Sequence, residues 1–116
     1  MDISMIRGDT TVFTFAVVDS EGVAFSLASC DLTFTASNGI VSLVKTTDAS
    51  PATITITDEA GGEGEFEVGA VETADWADYV HPLAWTLVLT ASDDSTYTVG
   101  HGVLIVNIYS EEVVNA

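Results

Sequence analysis

Hydrophobic and polar residues alternate along most of this chain, most clearly from Thr11 to Val18. There Phe13, Phe15 and Val17 fall on one face and Thr14 and Ala16 on the other, the period of two that a strand with one buried face requires. Two large aromatics on one face need an apolar layer opposite, which places this strand centrally in a sandwich of two sheets. The same period recurs downstream. Asp2–Ile6 gives a short first strand with Ile3 and Met5 inward, and Cys30, Leu32, Phe34 and Ala36 share a face. Ile54 and Ile56 alternate with threonines, and Phe66 and Val68 point one way. Trp85, Leu87 and Leu89 are in phase along Leu83–Ala91, read as the longest strand, and Leu104, Val106 and Ile108 close the set. Ile40–Thr46 alternates less cleanly, as an edge strand does, and Lys45 near its end reads as a charge that discourages further pairing.

Turn residues punctuate these runs at Arg7-Gly8-Asp9, Asp19-Ser20-Glu21-Gly22, Ser37-Asn38-Gly39, Asp58–Gly62 and Ser92–Ser95. Val23–Leu27 reads as a short extended piece crossing between sheets, and Gly100-His101-Gly102 as a bulge within a paired strand. One segment breaks the period. Glu72–Tyr79 opens on polar capping residues and carries Trp76 about one turn in, so it reads as a single helical turn whose Trp plugs one end of the sandwich. His81-Pro82 ends it. The sum is an all-β chain, an Ig-like antiparallel β-sandwich of eight or nine strands with one short helical turn. The sandwich takes residues 1–109 and a C-terminal tail takes residues 110–116.

Size and composition fit one domain. The chain has 116 residues, 47% of them hydrophobic, and surface scaling lets such a chain bury about two-thirds of its unfolded area. That suffices for a core without disulfide staples. No apolar run approaches the ~18 residues of a membrane-spanning helix, and Met1–Arg7 lacks the basic start and apolar stretch of an export signal. Charge changes the picture most. Eighteen Asp and Glu face one Arg and one Lys, Arg7 and Lys45, for a formal charge of −16. Phosphate backbones need clustered Lys and Arg, so nucleic acid is excluded as a partner, and anionic membrane surfaces with it. A surface this acidic suits concentrated salt or a basic or cation-loaded partner.

Candidate chemistry is sparse. Cys30 is the sole cysteine, cannot form an internal disulfide, and reads as a small buried residue. It and two histidines, His81 before a proline and His101 between glycines, are too few for a zinc site of the usual kind. Asp58/Glu59/Glu63 and Asp93/Asp94 cluster without a calcium-loop spacing and read as solvated turns. Gly61-Gly62-Glu63-Gly64 lacks the strand-to-helix context of a phosphate loop. Tyr79, Tyr97 and Tyr109 offer stacking surfaces for sugars or a partner, or simply finish the rim of the core. Arg7-Gly8-Asp9 spells an adhesive tripeptide but reads as a turn. No catalytic, cofactor-binding or metal-ligating residue is assigned, and no cofactor.

The order of these pieces carries a resemblance. A short opening strand leads through Arg7-Gly8-Asp9-Thr10 into Phe13-Thr14-Phe15. Asp19-Ser20-Glu21-Gly22, Leu32-Thr33-Phe34 and Ile54-Thr55-Ile56-Thr57-Asp58 follow, the last before a Gly-rich turn. Then come Thr73-Ala74-Asp75-Trp76, a long strand led by Trp85, and the finish Gly102-Val103-Leu104-Ile105-Val106. Over residues 1–109 this resembles the N-terminal Ig-like domain of tailed-phage structural proteins of the baseplate upper protein kind. The resemblance implies a non-enzymatic virion component, located in the virion, that docks on other virion proteins as a homo-oligomer or in many copies. With no fibre or receptor-binding region following, an accessory, adaptor or decoration role in capsid, tail or baseplate is expected. Met1–Ile6 and Ser110–Ala116 are the segments expected to dock. The alternative is a carbohydrate-binding or adhesive sandwich.

The charge yields a first expected outcome. Raising NaCl from about 0.01 M to about 1 M shortens the screening length from roughly 30 Å to roughly 3 Å, so the melting temperature, followed by circular dichroism, rises across the series. A melting point indifferent to salt contradicts the reading of the acidic surface.

Overall fold

The computed structural model describes residues 2–76 and 82–107. They form eight strands and one helical turn: β1 (Asp2–Ile6), β2 (Thr11–Ala16), β3 (Asp31–Ser37), β4 (Ser42–Thr46), β5 (Ile54–Asp58), β6 (Glu63–Val68), α1 (Ala70–Thr73), β7 (Leu83–Thr90) and β8 (Thr96–Asn107). The chain is an all-β sandwich. One sheet has five strands in the order β1-β8-β7-β3-β4, and the other has three in the order β2-β6-β5. Neighbouring strands pair antiparallel, with one departure from expectation: β1 lies parallel to β8, Asp2 opposite Val103 and Ile6 opposite Asn107. Parallel neighbours need a long connection, and here almost the whole domain lies between them.

The two layers meet through aromatic rings. Phe34 of β3 and Phe66 of β6 face each other across the sandwich with ring centroids 4.4 Å apart. Phe13 flanks Phe66 at 5.5 Å and Trp85 stacks on Phe34 at 5.7 Å. Leu32, Leu83, Leu89, Leu104, Ile54 and Val68 are buried around them, each from the inward phase that the alternation assigns. Met5 is buried and Ile3 half-buried, so β1 packs into this core from the edge of its sheet.

Several expectations are corrected. The Thr11–Ala16 strand has the right phase but the wrong place: it is an edge strand, Phe13 and Phe15 are half-buried, and β6 holds the centre of its sheet. Period two shows which face is buried and is silent on how many neighbours a strand has. The longest strand is β8, with 12 residues against 8 in β7. The bulge falls just before the expected glycines, since Leu87 pairs with Gly100 and Val88 with Thr98, leaving Val99 as the extra residue. That insertion rephases the strand. Val23–Leu27 does cross between the sheets, from β2 to β3, as expected. It is held by the bridge Val18–Ala24 and by backbone bonds from Phe25 to Val17 and from Leu27 to Glu59. The helical turn comes earlier than expected, over Ala70–Thr73, because Glu72 reaches back to the backbone N–H of Gly69 and starts the turn there. Trp76 follows it, half-buried against the core. Ile108, Tyr109 and the tail of residues 110–116 lie outside the described residues, as do Tyr79 and His81.

The glycine run after β5 is explained by close approach. A Cβ on Gly62 would come within 2.5 Å of the Val17 carbonyl and 2.6 Å of that of Phe25, and one on Gly64 within 2.5 Å of the Phe15 ring. Phe15 pairs with Gly64 across the ladder and covers it. The carbonyl of Thr55 would lie 2.9 Å from the same Cβ on the other side, so the new methyl has nowhere to go. Gly64→Ala is therefore expected to lower unfolding free energy by about 1–3 kcal/mol, read from urea denaturation. A neutral result would show that the ring moves aside at no cost.

Candidate functional site

Three strands cannot cover five. Among the described residues β2 pairs on one side only, with β6, and β8 meets β1 only over Val103–Asn107. Between these two strands the sandwich is open along one side. The opening is a groove of about 520 Å³, with Phe13, Phe15, Trp85 and Leu87 at its back. Thr14–Ala16 of β2 and Val17 after it form one wall, and Ile3, Val99, Gly100 and His101 the other. At the Val17 and Val99 end it runs into a second hollow of about 420 Å³ bounded by Val18, Phe25, Leu89 and Tyr97, with Asp19 and Asp93 on its rim. Tyr97 and Val18 are each 54% exposed, and Phe25 and Val99 each 37%. Such residues gathered on one side form the kind of continuous apolar patch that marks an interaction surface. The rest of the groove is backbone: an edge strand presents a row of N–H and C=O groups without ladder partners. The arrangement can accept an extended chain.

Of the residues singled out by sequence, His101, Tyr97 and Asp93 border the groove, and the other described ones lie elsewhere or serve the fold. Asp58 accepts the N–H of Gly61 within its own turn, and Asp93 accepts that of Ser95. The Ser95 backbone and side chain hold the Asp93 carboxyl below its ordinary value. Among the described residues no group of three or more His, Cys, Asp or Glu is placed to hold a metal ion. Cys30 sits just before β3, half-buried, its Sγ donating to the Ala28 carbonyl at 3.5 Å. His101 is on β8 opposite Thr86 and contributes to the groove wall. Tyr97 stands at the end of the groove. No protein-family model matches the chain, and no curated protein matches its sequence. The functional reading therefore rests on geometry, charge and the order of sequence features.

The Arg7-Gly8-Asp9 turn is a structural corner. Arg7 Nη1 donates to the Trp76 carbonyl at 2.8 Å, the Gly8 N–H donates to Thr73 Oγ1 at 2.8 Å, and the Arg7 N–H donates to the Asn107 carbonyl at 2.7 Å. Thr73 is fully buried, so its hydroxyl satisfies a backbone group where water cannot. Lys45, expected to point outward as an edge guard, points inward instead. It is 6% exposed, and its Nζ donates to Glu72 Oε1 at 2.5 Å. The reason is phase: Lys45 shares a face with buried Leu43, two residues before it on β4. Both cations of the chain thus fasten the 69–76 segment to the sandwich.

Burial alone would raise the Glu72 carboxyl, but the bonds from Lys45 and the Gly69 N–H outweigh it and hold the group below its ordinary 4.5. A carboxyl lowered by folding contributes stability that is complete above its unfolded value and is lost as pH falls through the folded one. Glu72→Gln leaves a buried ammonium without its counter-charge and is expected to cost about 1–3 kcal/mol at neutral pH. That gap between wild type and variant narrows as pH drops below 4.5. Lys45→Met costs less, because Glu72 keeps about a third of its side chain in water and retains its bond from Gly69. Chemical denaturation of the three proteins from neutral to acid pH checks both the order and the slope.

Proposed function

We propose that this chain is a non-enzymatic structural component of a tailed virus particle, present in many copies and docking on neighbouring subunits by the open side of its sandwich. The observation that carries the reading is the groove, where an unpaired strand edge and exposed apolar side chains lie together. Strand addition at such an edge draws affinity from main-chain hydrogen bonds and specificity from alternate side chains. In a particle, high local copy number makes individually weak contacts sufficient. Two further features support the reading. The order of turns and aromatic strands resembles the Ig-like domain of tailed-phage structural proteins over residues 1–109, and the acidic surface suits neighbours of opposite charge or a salt-rich setting. Nucleic acid is not the partner in this reading, since both cations are engaged within the fold. Nor is a membrane, since an acidic surface is repelled by anionic lipid; among the described residues no helix is long and apolar enough to cross one.

Mass spectrometry of purified virus particles, with copy number estimated against the major capsid protein, is expected to find this chain in multiple copies per particle. Its consistent absence from particles whose genome encodes it would overturn the reading.

A further inference from the structure

We propose that the groove receives an extended strand from a different protein, carrying alternating apolar side chains and Lys or Arg at both ends, added to the free edge of β2. The proposal rests on the reading of the open side as the docking face and names what fills it.

The choice of edge follows from the two candidates. On β8 the stretch before Val103 is interrupted by the extra residue Val99, and a bulge at an edge bends the strand and breaks the pairing register. On β2 the run Thr11–Ala16 is regular, contains no Pro, Lys or bulge, and pairs residue for residue with β6. Among the described residues the run itself carries none of the Pro, charge or bulge devices that blunt an edge. A strand beside β2 becomes the fourth of its sheet and lies over the inner face of β8, where Val99 and Tyr97 remain uncovered. A six-residue edge spans about 20 Å at 3.3–3.4 Å per residue, which sets the length of the incoming segment. Its inward side chains meet Phe15, Trp85 and Val99.

The choice of partner follows from charge. Asp9 precedes β2 and Asp19 follows it, and Asp93 joins Asp19 on the rim. Arg7, in the first of these turns, is bonded to the Trp76 carbonyl, and Lys45 to Glu72. A second copy brings a formal charge of −16, and the chain's own last nine residues bring Glu111 and Glu112 with no Lys or Arg. Both are repelled at the ends of the groove, whereas a strand with cationic ends is drawn in.

The test titrates the full-length protein at about 0.05 M salt, where the screening length exceeds 10 Å. Three synthetic peptides share a Val-Thr-Val-Thr-Val centre: one with Lys pairs at each end, one with Glu pairs, and a Lys-flanked one N-methylated at alternate residues. Calorimetry is expected to give the plain Lys-flanked peptide at least about a tenfold advantage over each of the others. Backbone amide resonances of Thr11–Ala16 shift in the same titration. Val99→Asn, a change at an exposed position, weakens binding several-fold while leaving the melting temperature close to wild type. Equal binding of the N-methylated peptide means ionic adsorption without a ladder and overturns the proposal, as does equal binding of the Glu-flanked peptide or no binding at all. Sedimentation showing a dimer with β2 amides protected makes a second copy the occupant and overturns it too. Failure here with the chain present in particles leaves the virion reading standing, and the reverse result removes that reading but not this one.

Discussion

The contact between Phe34 and Phe66 holds the sandwich together. Each ring belongs to a different sheet, at 4.4 Å between centroids, and Phe13 and Trp85 extend the line on either side. Truncating a buried Phe costs about 3–5 kcal/mol, comparable with the whole stability of a marginal domain, about 5–15 kcal/mol. The connections between the sheets gain their purpose from this line. The Arg7-Gly8-Asp9 corner, the Val17–Leu27 passage and the segment after β6 all carry the chain from one layer to the other around these rings.

Burial at the centre leaves the margins to polar bonds. At one end the 69–76 segment is tied down by Lys45 to Glu72, Arg7 to the Trp76 carbonyl, and Gly8 to buried Thr73. Two elements distant in sequence, β4 and the Arg7-Gly8-Asp9 turn, converge on four residues of helix and the turn after it. A segment this short cannot be stable alone, since helix nucleation is unfavourable, so its conformation is imposed from outside. The effect on surface charge follows directly. With both cations engaged here, the groove and the hollow beside it are lined by Asp19 and Asp93 and by no Lys or Arg, and the rim is acidic by default.

Much of the fold is legible from the sequence: the inward phase of every described strand except β4, the approximate number of strands, the Asn38-Gly39 turn in which Asn38 Oδ1 accepts the N–H groups of Ile40 and Val41, and the bulge near Gly100. What alternation cannot carry is neighbourhood. Thr11–Ala16 has the same period whether central or at an edge, and β1 would read the same paired parallel or antiparallel. Lys45 is the instructive miss. Its phase with Leu43 put it inside, yet its charge argued for the outside, and the arbiter was a glutamate 27 positions away. A signal was available in the spacing of Gly69 and Glu72, which fits a turn start whose carboxylate returns to the first N–H. The groove left no trace of its own, because it is a deficit of strands rather than a motif.

That deficit raises a question of persistence: an unblunted edge beside exposed apolar residues ordinarily invites pairing between copies. Here the protection is electrostatic and acts at a distance. Two chains of formal charge −16 repel before their edges meet, while the same field draws a cationic segment towards the groove. Edge guards such as an inserted Lys or Pro would close β2 to every partner alike. A charge of one sign closes it selectively, which is the condition for a docking edge to stay open at high concentration. The selectivity weakens as salt shortens the screening length. In a salt-rich setting, specificity therefore shifts from the charged ends of the incoming strand to the side chains that fill the space beside Phe15 and Trp85.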